Sequence, residues 1–266
     1  MFTAKEYAMP LDIDEAYKML MARNTNSILG GCAWLRLGSK RMTTAIDLSL
    51  CGLDFINETE DAIEIGAMTS YRTVETSPIL KKYFNGSVAS CVSAIVGTQF
   101  RNTVTVGGSV YGRYGFSDFL PTLLALDTTV VLYKAGEVKL ADYMNMSYKD
   151  KDIIIKVVIK KNNASLSYQD FRNEGTDFPV LNLALSKCES GCIVTVGARP
   201  AKEIVAEKTS EYLSQADWSD LDTVIANAQE LIGEVKCTSN ARASEAYRKH
   251  LCKILLKRSI KEVSEC

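Results

Sequence analysis

The feature that most constrains this chain is a pair of short glycine-rich segments far apart in the sequence. The first runs from Leu29 to Leu35 and the second from Thr103 to Val110, and each contains a Gly-Gly pair. Adjacent glycines let a backbone approach a charged group without a Cβ in the way, and successive N–H groups in a turn form an anion-binding concavity. We therefore predict that two turns together hold a nucleotide diphosphate, with the hydroxyls of Thr103, Thr105 and Ser109 as added donors.

Neither segment matches a well-known phosphate-binding motif. Neither fits G-x-G-x-x-G, nor the P-loop pattern G-x-x-x-x-G-K-[ST]. A Gly-Gly pair after a strand is also common in tight turns that bind nothing. Each segment by itself therefore leaves two interpretations open, a ligand loop and an ordinary turn.

Runs of β-branched residues alternate with amphipathic segments and predict a mixed α and β fold. The predicted strands cover residues 27–29, 44–48, 62–65, 128–133, 153–159, 164–171, 180–186 and 192–196. The predicted helices cover residues 14–23, 87–96, 118–126, 220–232 and 243–263. A polar stretch from Lys160 to Asn163 interrupts this pattern and marks a candidate domain boundary.

Composition and charge narrow the class of protein. The 266 residues carry a formal net charge of -1 with a pI near 6.0, which does not favour a nucleic-acid or membrane partner, since both attract basic surfaces. The N-terminus has no apolar leader, and no apolar run approaches the roughly 18 residues of a membrane span. We therefore predict a cytoplasmic protein with mostly reduced cysteines.

The 8 cysteines and the single histidine do not favour a metal site or side-chain catalysis. There is no C-x-x-C motif, and only Cys188 and Cys192 are close together, whereas iron–sulfur and structural zinc sites use short fixed spacings. With His250 alone, a Ser-His or Cys-His catalytic pair is improbable. We predict no metal ligands and no catalytic side chains in this chain.

The residues that follow the second glycine segment add an acidic candidate. Ser117 and Asp118 stand where a helix should begin, so that either side chain can cap the free N–H groups there. Alternatively, Asp118 accepts hydrogen bonds from sugar or ribityl hydroxyls of a nucleotide, because a carboxylate suits two neighbouring donors. Both interpretations stay open from the sequence.

At this point the order of motifs resembles one protein family. Gln99 to Gly108, followed by Ser117-Asp118 and by Leu120 to Asp127, resembles the signature of the flavin subunits of molybdenum hydroxylases, such as xanthine dehydrogenase and carbon monoxide dehydrogenase. The segment Leu29 to Leu35 resembles the A-G-G-T-D-L flavin loop of the same family.

Two later segments continue the resemblance in the expected order. Asp177 to Leu181 resembles the D-x-A-x-V stretch of the C-terminal domain, and Ser239 to Arg248 resembles the closing D-x-R-G-S-x-x-Y-R-R segment. The resemblance thus covers nearly the whole chain, and its ordering makes it more specific than any single match.

This sequence also departs from the family pattern. Cys32 and Ala33 replace the usual Thr and Asp of the first loop, and Ser109 replaces the usual Asn. Arg113 to Phe116 replaces the common A-S-P-x connector, and Gln169 stands about where some relatives carry a lysine near the flavin ring. These changes bear on the tuning of a flavin and on the final electron acceptor.

The resemblance implies an α+β fold in two parts. It implies a PCMH-type FAD-binding domain over residues 1–160, with two subdomains at about 1–53 and 54–160, and a C-terminal domain of a sheet packed on helices over residues 161–266. The implied cofactor is FAD, and the implied contacts form one set. They are Leu29, Gly30, Gly31, Cys32, Ala33, Trp34, Leu35, Thr103, Thr105, Gly107, Gly108 and Ser109, with Asp118 on the sugar or ribityl part and Asp177 near the isoalloxazine ring.

The resemblance also implies a function and partners. The chain would be an electron-transfer subunit beside a molybdopterin-binding large subunit and an iron–sulfur small subunit, passing electrons through FAD to NAD or another acceptor. The chemistry would belong to the flavin, while the protein supplies placement and electrostatics. Two alternatives stay open: a stand-alone FAD-dependent oxidoreductase of the same fold class, and a flavin-free scaffold subunit.

Overall fold

The computed structural model describes residues 1–265. The chain forms two compact units, and each unit is assembled from separate stretches of sequence. Unit 1 comprises Met1–Val74, Gly97–Gly112 and Thr128–Ile159, and unit 2 comprises Glu75–Val96, Arg113–Asp127 and the chain from Lys160 onward. The units therefore interleave along the sequence, and the domain and subdomain boundaries expected from the sequence remain predictions.

Strands and mostly short helices alternate along the chain. The strands are β1 (Thr3–Ala8), β2 (Ser27–Leu29), β3 (Arg41–Asp47), β4 (Ile56–Glu58), β5 (Ala62–Gly66), β6 (Thr128–Leu132), β7 (Gly136–Lys139), β8 (Ile154–Lys160), β9 (Ser165–Arg172), β10 (Pro179–Cys188), β11 (Gly191–Gly197) and β12 (Ile204–Val205). The helices are α1 (Ile13–Ala22), α2 (Tyr71–Thr76), α3 (Pro78–Lys82), α4 (Ser87–Ser90), α5 (Thr98–Thr103), α6 (Val106–Gly112), α7 (Phe119–Leu124), α8 (Leu140–Tyr143), α9 (Glu207–Gln215), α10 (Leu221–Leu231) and α11 (Glu245–Ser264). Short 3-10 turns cover Leu35–Leu37, Phe84–Gly86 and Ile232–Glu234.

Unit 1 contains two sheets. The first has three parallel strands in the order β1-β3-β2, and the second has five strands in the order β4-β5-β8-β6-β7. Helix α1 connects β1 to β2 and begins at Asp12, whose side chain accepts the amide of Glu15 at 2.8 Å. Such a cap satisfies one of the free N–H groups at a helix start. Ala16 and Leu20 of this helix are buried.

Unit 2 is built on a four-stranded antiparallel sheet in the order β12-β11-β10-β9. Its core joins this sheet to the C-terminal helices, with Leu183 of β10, Val194 of β11 and Leu255 of α11 among its buried members. Arg248 is also buried, and its guanidinium donates to the backbone carbonyls of Val180, Thr238 and Ala243. Carbonyl contacts of this kind satisfy a buried charged group.

The α+β class and the C-terminal sheet packed on helices are confirmed. The predicted strands and the two long C-terminal helices are found within a few residues of the expected ends. Strand β1 and helix α9 were missed, and the helix predicted over 87–96 is a short α4 followed by turns. The prediction of a turn over Thr103 to Val110 is wrong, because Thr103 ends α5 and Val106 begins α6.

Three further observations concern membrane-spanning helices, metal sites and cysteines. None of the helices in the described chain is long and apolar enough to cross a membrane. Within residues 1–265, no three His, Cys, Asp or Glu side chains come together as a metal site. The described cysteines are free thiols, and Cys91, Cys192, Cys237 and Cys252 are buried; Cys266 lies outside the described residues.

Candidate functional site

The two glycine segments lie against each other in unit 1. A Cβ built on Gly30 would stand 3.0 Å from the Cα of Gly108, and one built on Gly108 would stand 2.6 Å from the carbonyl oxygen of Gly30. Neither position has room for a side chain, so the backbones make direct contact. The adjacency that we predicted for the two segments is therefore present, although the details differ from the sequence-based picture.

The first segment forms an irregular loop between β2 and the 3-10 turn at Leu35–Leu37, and we call Leu29 to Leu35 the nest loop. Gly31 and Cys32 both adopt left-handed backbone conformations, with φ angles of 69° and 59°. A turn that contains such residues can present successive N–H groups on one side, as an anion-binding concavity requires. Every residue of the nest loop is partly accessible to solvent.

The nest loop presents amides that the protein itself does not use. In residues 1–265, no acceptor receives a hydrogen bond from the backbone N–H of Gly31, Cys32, Ala33 or Leu35. Buried or half-buried N–H groups are nearly always paired with protein, water or a ligand. The sequence placed these residues in a ligand loop, and the structure gives that loop available donors.

Contact with the end of α5 explains why Gly31 is a glycine. A Cβ at this position would overlap the backbone carbonyl oxygen of Thr103. The positive φ angle adds to the cost for any other residue, because left-handed backbone is strained when a Cβ is present. Residues about 70 positions apart in sequence thus hold the nest loop in shape.

The backbone amides of the second segment are hydrogen-bonded within the protein. The N–H of Val106 donates to the carbonyl of Thr69 at 2.9 Å, and that of Gly107 donates to the carbonyl of Ala67 at 2.7 Å. The N–H of Gly108 donates to the Thr105 hydroxyl at 3.2 Å, and that of Ser109 donates to the Thr105 carbonyl at 3.0 Å. This segment therefore does not offer the amide concavity that its sequence suggested.

Glycines 107 and 108 allow close packing instead. A Cβ on Gly107 would stand 2.8 Å from both the Cβ and the carbonyl oxygen of Ala67, which follows β5. Gly108 faces Gly30. The pair thus brings α6 against β5 on one side and against the nest loop on the other. We call this contact of Gly107 and Gly108 the glycine seat.

The three hydroxyls proposed from sequence have different surroundings. The Thr103 hydroxyl donates to the Phe100 carbonyl at 2.8 Å, and the Ser109 hydroxyl donates to the Thr105 carbonyl at 3.0 Å. The Thr105 hydroxyl accepts from Gly108, and its own hydrogen has no acceptor among the described residues. Thr105 is only 6% exposed and lines a cavity, so this is the hydroxyl best placed to meet a ligand.

Cys32 brings a thiol into the nest loop where the resembling family has a threonine. Burial raises the pKa of the Cys32 thiol, and the nearby negative charge of Asp47 raises that pKa further. The thiol is therefore neutral near pH 7, and this substitution adds no negative charge to a loop of amide donors. The Asp47 carboxylate is itself held by the Tyr7 hydroxyl at 2.6 Å and the Ser49 amide at 2.9 Å.

A cavity of about 290 Å³ in unit 1 lies beside the contact between the two segments. Ligand pockets occupy roughly 300–1,000 Å³, so this volume suits part of a dinucleotide. Its lining includes polar residues, apolar residues and three glycines. They are Leu20, Asn24, Asn26, Ser27, Ile28, Gly30, Lys40, Leu48, Ala67, Met68, Thr105, Gly107, Gly108, Tyr111, Tyr148, Lys151, Asp152, Ile153 and Ile154.

Asp118 lies in unit 2 and is 4% exposed. Its Oδ1 accepts hydrogen bonds from the Tyr168 hydroxyl and from the Arg172 guanidinium, which also binds Asp170. Burial raises the pKa of Asp118 to about 6, against the opposing effect of Arg172. Asp118 is thus the centre of a buried polar network, and the predicted contact with sugar or ribityl hydroxyls remains a prediction.

Asp177, also in unit 2, is part of a smaller, partly exposed cluster. Its carboxylate accepts from the Arg242 guanidinium at 3.0 Å and from the Phe178 amide at 2.7 Å. These two hydrogen bonds lower the pKa of Asp177. Phe178 packs against Phe116 with ring centroids 4.6 Å apart, and the guanidinium carbon of Arg242 lies 5.0 Å from the Phe178 centroid. Its predicted place near an isoalloxazine ring remains a prediction.

Sequence reasoning missed one buried acid in unit 2. Glu203 is 9% exposed, and neither carboxylate oxygen has a hydrogen-bond partner in the described part of the chain. Burial raises the pKa of Glu203 to about 7. A glutamate between Lys202 and the short β12 looks like an ordinary surface residue, so no local signal marked it.

Comparison with known proteins shows that two family models match this chain. Residues 2–160 match a family model described as the FAD binding domain in molybdopterin dehydrogenase. Residues 167–263 match one described as the CO dehydrogenase flavoprotein C-terminal domain. Together the two models cover most of the chain in the order that the sequence motifs suggested.

Individual relatives agree with these models. The glyceraldehyde dehydrogenase medium chain of Sulfolobus acidocaldarius is 22% identical over 276 residues, which cover 97% of this chain and 98% of the relative. The nicotinate dehydrogenase FAD-subunit of Eubacterium barkeri is 27% identical over 96 residues, 35% of this chain and 32% of the relative. A crystal structure of quinoline 2-oxidoreductase from Pseudomonas putida 86 shares the fold, with a TM-score of 0.87 at 20% identity over 100% of this chain and 98% of that one.

Proposed function

This chain belongs to the family of flavoproteins built from the FAD-binding domain of molybdopterin dehydrogenases and the CO dehydrogenase flavoprotein C-terminal domain, and we propose that it is the FAD-binding electron-transfer subunit of a molybdenum hydroxylase complex. The resemblance noted from the sequence is thereby confirmed. The chain is an oxidoreductase subunit with FAD as its cofactor.

The nest loop carries the proposal about how FAD is held. It combines the left-handed Gly31-Cys32 pair with four amides that have no acceptor in residues 1–265, those of Gly31, Cys32, Ala33 and Leu35. A diphosphate supplies acceptor oxygens that match such donors. The glycine seat leaves no side chain between the nest loop and α6, and Thr105 adds a hydroxyl hydrogen from the cavity wall. These residues fit a dinucleotide diphosphate.

In this role the protein's own groups bind and orient FAD. Bound FAD supplies the redox chemistry, while the chain sets its position and surroundings. The nest-loop amides neutralise phosphate charge without a titrating side chain, so that binding of the diphosphate depends little on pH near neutrality. The remaining predicted contacts, including Trp34, Thr103, Ser109, Asp118 and Asp177, are part of the proposal.

The proposed partners follow from the relatives. A medium chain and an FAD-subunit are named as parts of larger dehydrogenases, and we extend that arrangement to this chain. We propose a molybdopterin-binding large subunit and an iron–sulfur small subunit as partners, with NAD or another molecule as final acceptor, in the cytoplasm. The substrate would then bind the large subunit and not this chain.

The first experiment is purification of the chain with identification of its bound cofactor. We expect a yellow protein whose released flavin is FAD, and chains that contain molybdenum and iron co-eluting when it is isolated from its native host. A flavin-free protein would refute FAD binding. Reduction of the isolated chain by a small organic substrate, without partners, would instead support the stand-alone oxidoreductase.

Hydrogen exchange tests the nest loop directly. In the flavin-free chain the amides of Gly31, Cys32, Ala33 and Leu35 should exchange quickly, because they lack acceptors, and added FAD should slow them by about tenfold or more. The amides of Val106 to Ser109 should be protected in both states and serve as the internal control. Equal exchange of the nest loop with and without FAD would contradict the proposed phosphate contacts.

A further inference from the structure

Two exposed tyrosines, Tyr111 and Tyr148, border the cavity of unit 1. Tyr111 lies on α6. Tyr111 follows Gly107 and Gly108 by four and three residues on this helix, which places all three on one helical face. Tyr111 and both glycines line the same cavity. The cavity therefore extends from the glycine seat to the Tyr111 ring.

Tyr148 completes this border from another part of the chain. Its hydroxyl donates to the carbonyl of Gly112, the last residue of α6, at 3.1 Å. The rings of Tyr111 and Tyr148 are 5.6 Å apart with an interplanar angle of 73°, an edge-to-face arrangement that aromatic pairs favour. Each tyrosine is nevertheless 51% exposed, so much of two aromatic rings remains open to a ligand.

The segment that carries Tyr148 is held in place on its C-terminal side. The Lys151 ammonium donates to the carbonyls of Arg23, Asn24 and Asn26 at 3.1, 2.9 and 3.4 Å. The Asp152 carboxylate accepts backbone amides from the turn that follows β6. These bonds anchor the backbone next to Tyr148, and the bond of its hydroxyl to Gly112 positions the ring, so that less ordering is needed when a ligand binds.

Three polar side chains of the cavity, those of Asn26, Lys151 and Asp152, are bonded within the protein. The Asn26 amide group donates to the Met19 carbonyl at 2.7 Å, and its oxygen accepts the Thr44 amide at 3.2 Å. The Lys151 and Asp152 side chains are bonded to backbone groups of unit 1. The Thr105 hydroxyl hydrogen is available to a ligand, and the apolar lining comes from Ile28, Met68 and Ile154. Such a cavity suits a flat ring held by stacking.

Charge in the cavity favours a phosphate next to that ring. Lys40 and Lys151 both line it, and Lys40 contributes to a lowered pKa of Lys151, whose main cause is burial. The two ammonium groups outnumber the one carboxylate of the lining, that of Asp152, so the wall of this cavity, which also reaches the Thr105 hydroxyl, carries a net positive charge. An anionic group is stabilised there.

We propose that Tyr111 and Tyr148 hold the adenine ring of FAD, so that this cavity binds the adenosine diphosphate half of the cofactor and distinguishes FAD from FMN. The inference rests on the proposed function, because it assumes a flavin dinucleotide at the nest loop. It assigns a specificity role to two residues that no glycine motif marks. Both rings come from elements outside the nest loop.

The test measures equilibrium binding of FAD, ADP and FMN to the full-length, flavin-free chain. Replacing either ring, by Tyr148→Ala or Tyr111→Ala, should weaken FAD and ADP by about tenfold or more, since stacking of a base on an aromatic ring contributes about that factor. FMN binding should not change. Tyr148→Phe keeps the ring and should stay within about twofold of the unaltered chain.

Tyr17→Ala is the matched control. Tyr17 pairs with Tyr133 at 5.2 Å in the same unit, but neither residue lines the cavity. It should leave all three affinities unchanged. Thermal unfolding of each flavin-free variant checks that it is folded. If one of the two alanine variants does not fold, the other alanine variant is compared with Tyr148→Phe.

Each outcome decides a different point. Selective loss of FAD and ADP affinity supports the inference. Unchanged affinity in both alanine variants overturns it, as does equal loss for FMN. ADP binding to the FAD-saturated chain that depends on Tyr148 would also overturn it, because the rings would then serve the adenine of another nucleotide. If the unaltered chain binds no flavin, the proposed function fails; if it binds FAD and FMN equally but not ADP, only this inference fails.

Discussion

The nest loop and the glycine seat look alike in sequence but do different things in the folded chain. Each contains two adjacent glycines next to hydroxyl or apolar residues. In the nest loop the backbone is left-handed at Gly31 and Cys32, and its amides have no acceptor within residues 1–265. In the glycine seat the backbone is helical, and the amides of Gly107 and Gly108 are bonded to Ala67 and Thr105. A glycine pair thus indicates that another group can approach the backbone closely. Whether that group is a ligand or part of the protein depends on whether an acceptor elsewhere in the chain already bonds the glycine amides.

The largest effect should come from Gly31→Ala. The new Cβ would overlap the Thr103 carbonyl in a left-handed backbone, and we expect about 3–5 kcal/mol of lost stability with loss of FAD from the purified chain. Denaturant unfolding and flavin content measure both. Gly52→Ala is the matched control, because Gly52 has the same φ of 69° and open space around it, and it should cost about 1 kcal/mol. Similar losses in both variants would show that φ alone, and not the contact, shapes the nest loop.

Gly108→Ala should have the next largest effect. Its Cβ would stand 2.6 Å from the Gly30 carbonyl, so the nest loop must move and stability should fall by about 2 kcal/mol. FAD affinity should fall as well. Gly107→Ala strains the packing on Ala67 instead, and we expect a similar loss of stability with a smaller change in FAD affinity. Equal losses of FAD affinity in the two variants would argue against a distinct role for the contact with Gly30.

Thr105→Val should have a moderate effect on stability. It removes the hydroxyl that accepts the Gly108 amide, which costs about 1 kcal/mol for a capping group. If the Thr105 hydroxyl also donates to the diphosphate, FAD affinity should fall by about tenfold. Thr105→Ser keeps the hydroxyl and should restore both quantities. Lower stability with unchanged FAD affinity would confine Thr105 to its structural bond.

The smallest effect should come from Cys32→Gly. Glycine relieves the left-handed strain at φ 59°, partly offset by the greater freedom of the unfolded chain, so stability should rise by about 0.5 kcal/mol. FAD affinity should stay the same, because the proposed contact at this position is the amide and the thiol is neutral. Thermal unfolding and flavin titration measure these changes. A clear fall in FAD affinity would mean that the Cys32 side chain, and not only its amide, meets the cofactor.

Much of the architecture followed from local pattern. The β-branched runs of β6 and β8 and the helices α10 and α11 were predicted within a few residues, because such segments carry a local sequence pattern. Strand β1 was missed because all of its residues but the last are exposed, and it forms only by pairing with β3. Helix α6 was missed because two adjacent glycines favour a turn, whereas the carbonyl of Ala67 and the hydroxyl of Thr105 accept their amides at the start of a helix.

Part of the candidate site could likewise be predicted from the sequence, and part could not. The positions of the glycine pairs and of Asp118 could be identified from the chain, as could the order of motifs that the family models then matched. Neither the network of Asp118 with Tyr168 and Arg172 nor the meeting of Tyr111 and Tyr148 could be predicted. These contacts join residues 37 to 54 positions apart, beyond the reach of any local pattern.

By itself the sequence determined where the backbone can come close, because only glycine lacks the Cβ that keeps other groups away. It also indicated a mix of α and β structure, through the periodicity of its apolar residues. The tertiary structure alone decided which glycine pair keeps free donors and which does not. The physical reason is that a backbone N–H is always a donor, and whether it is available depends on an acceptor brought from elsewhere in the chain.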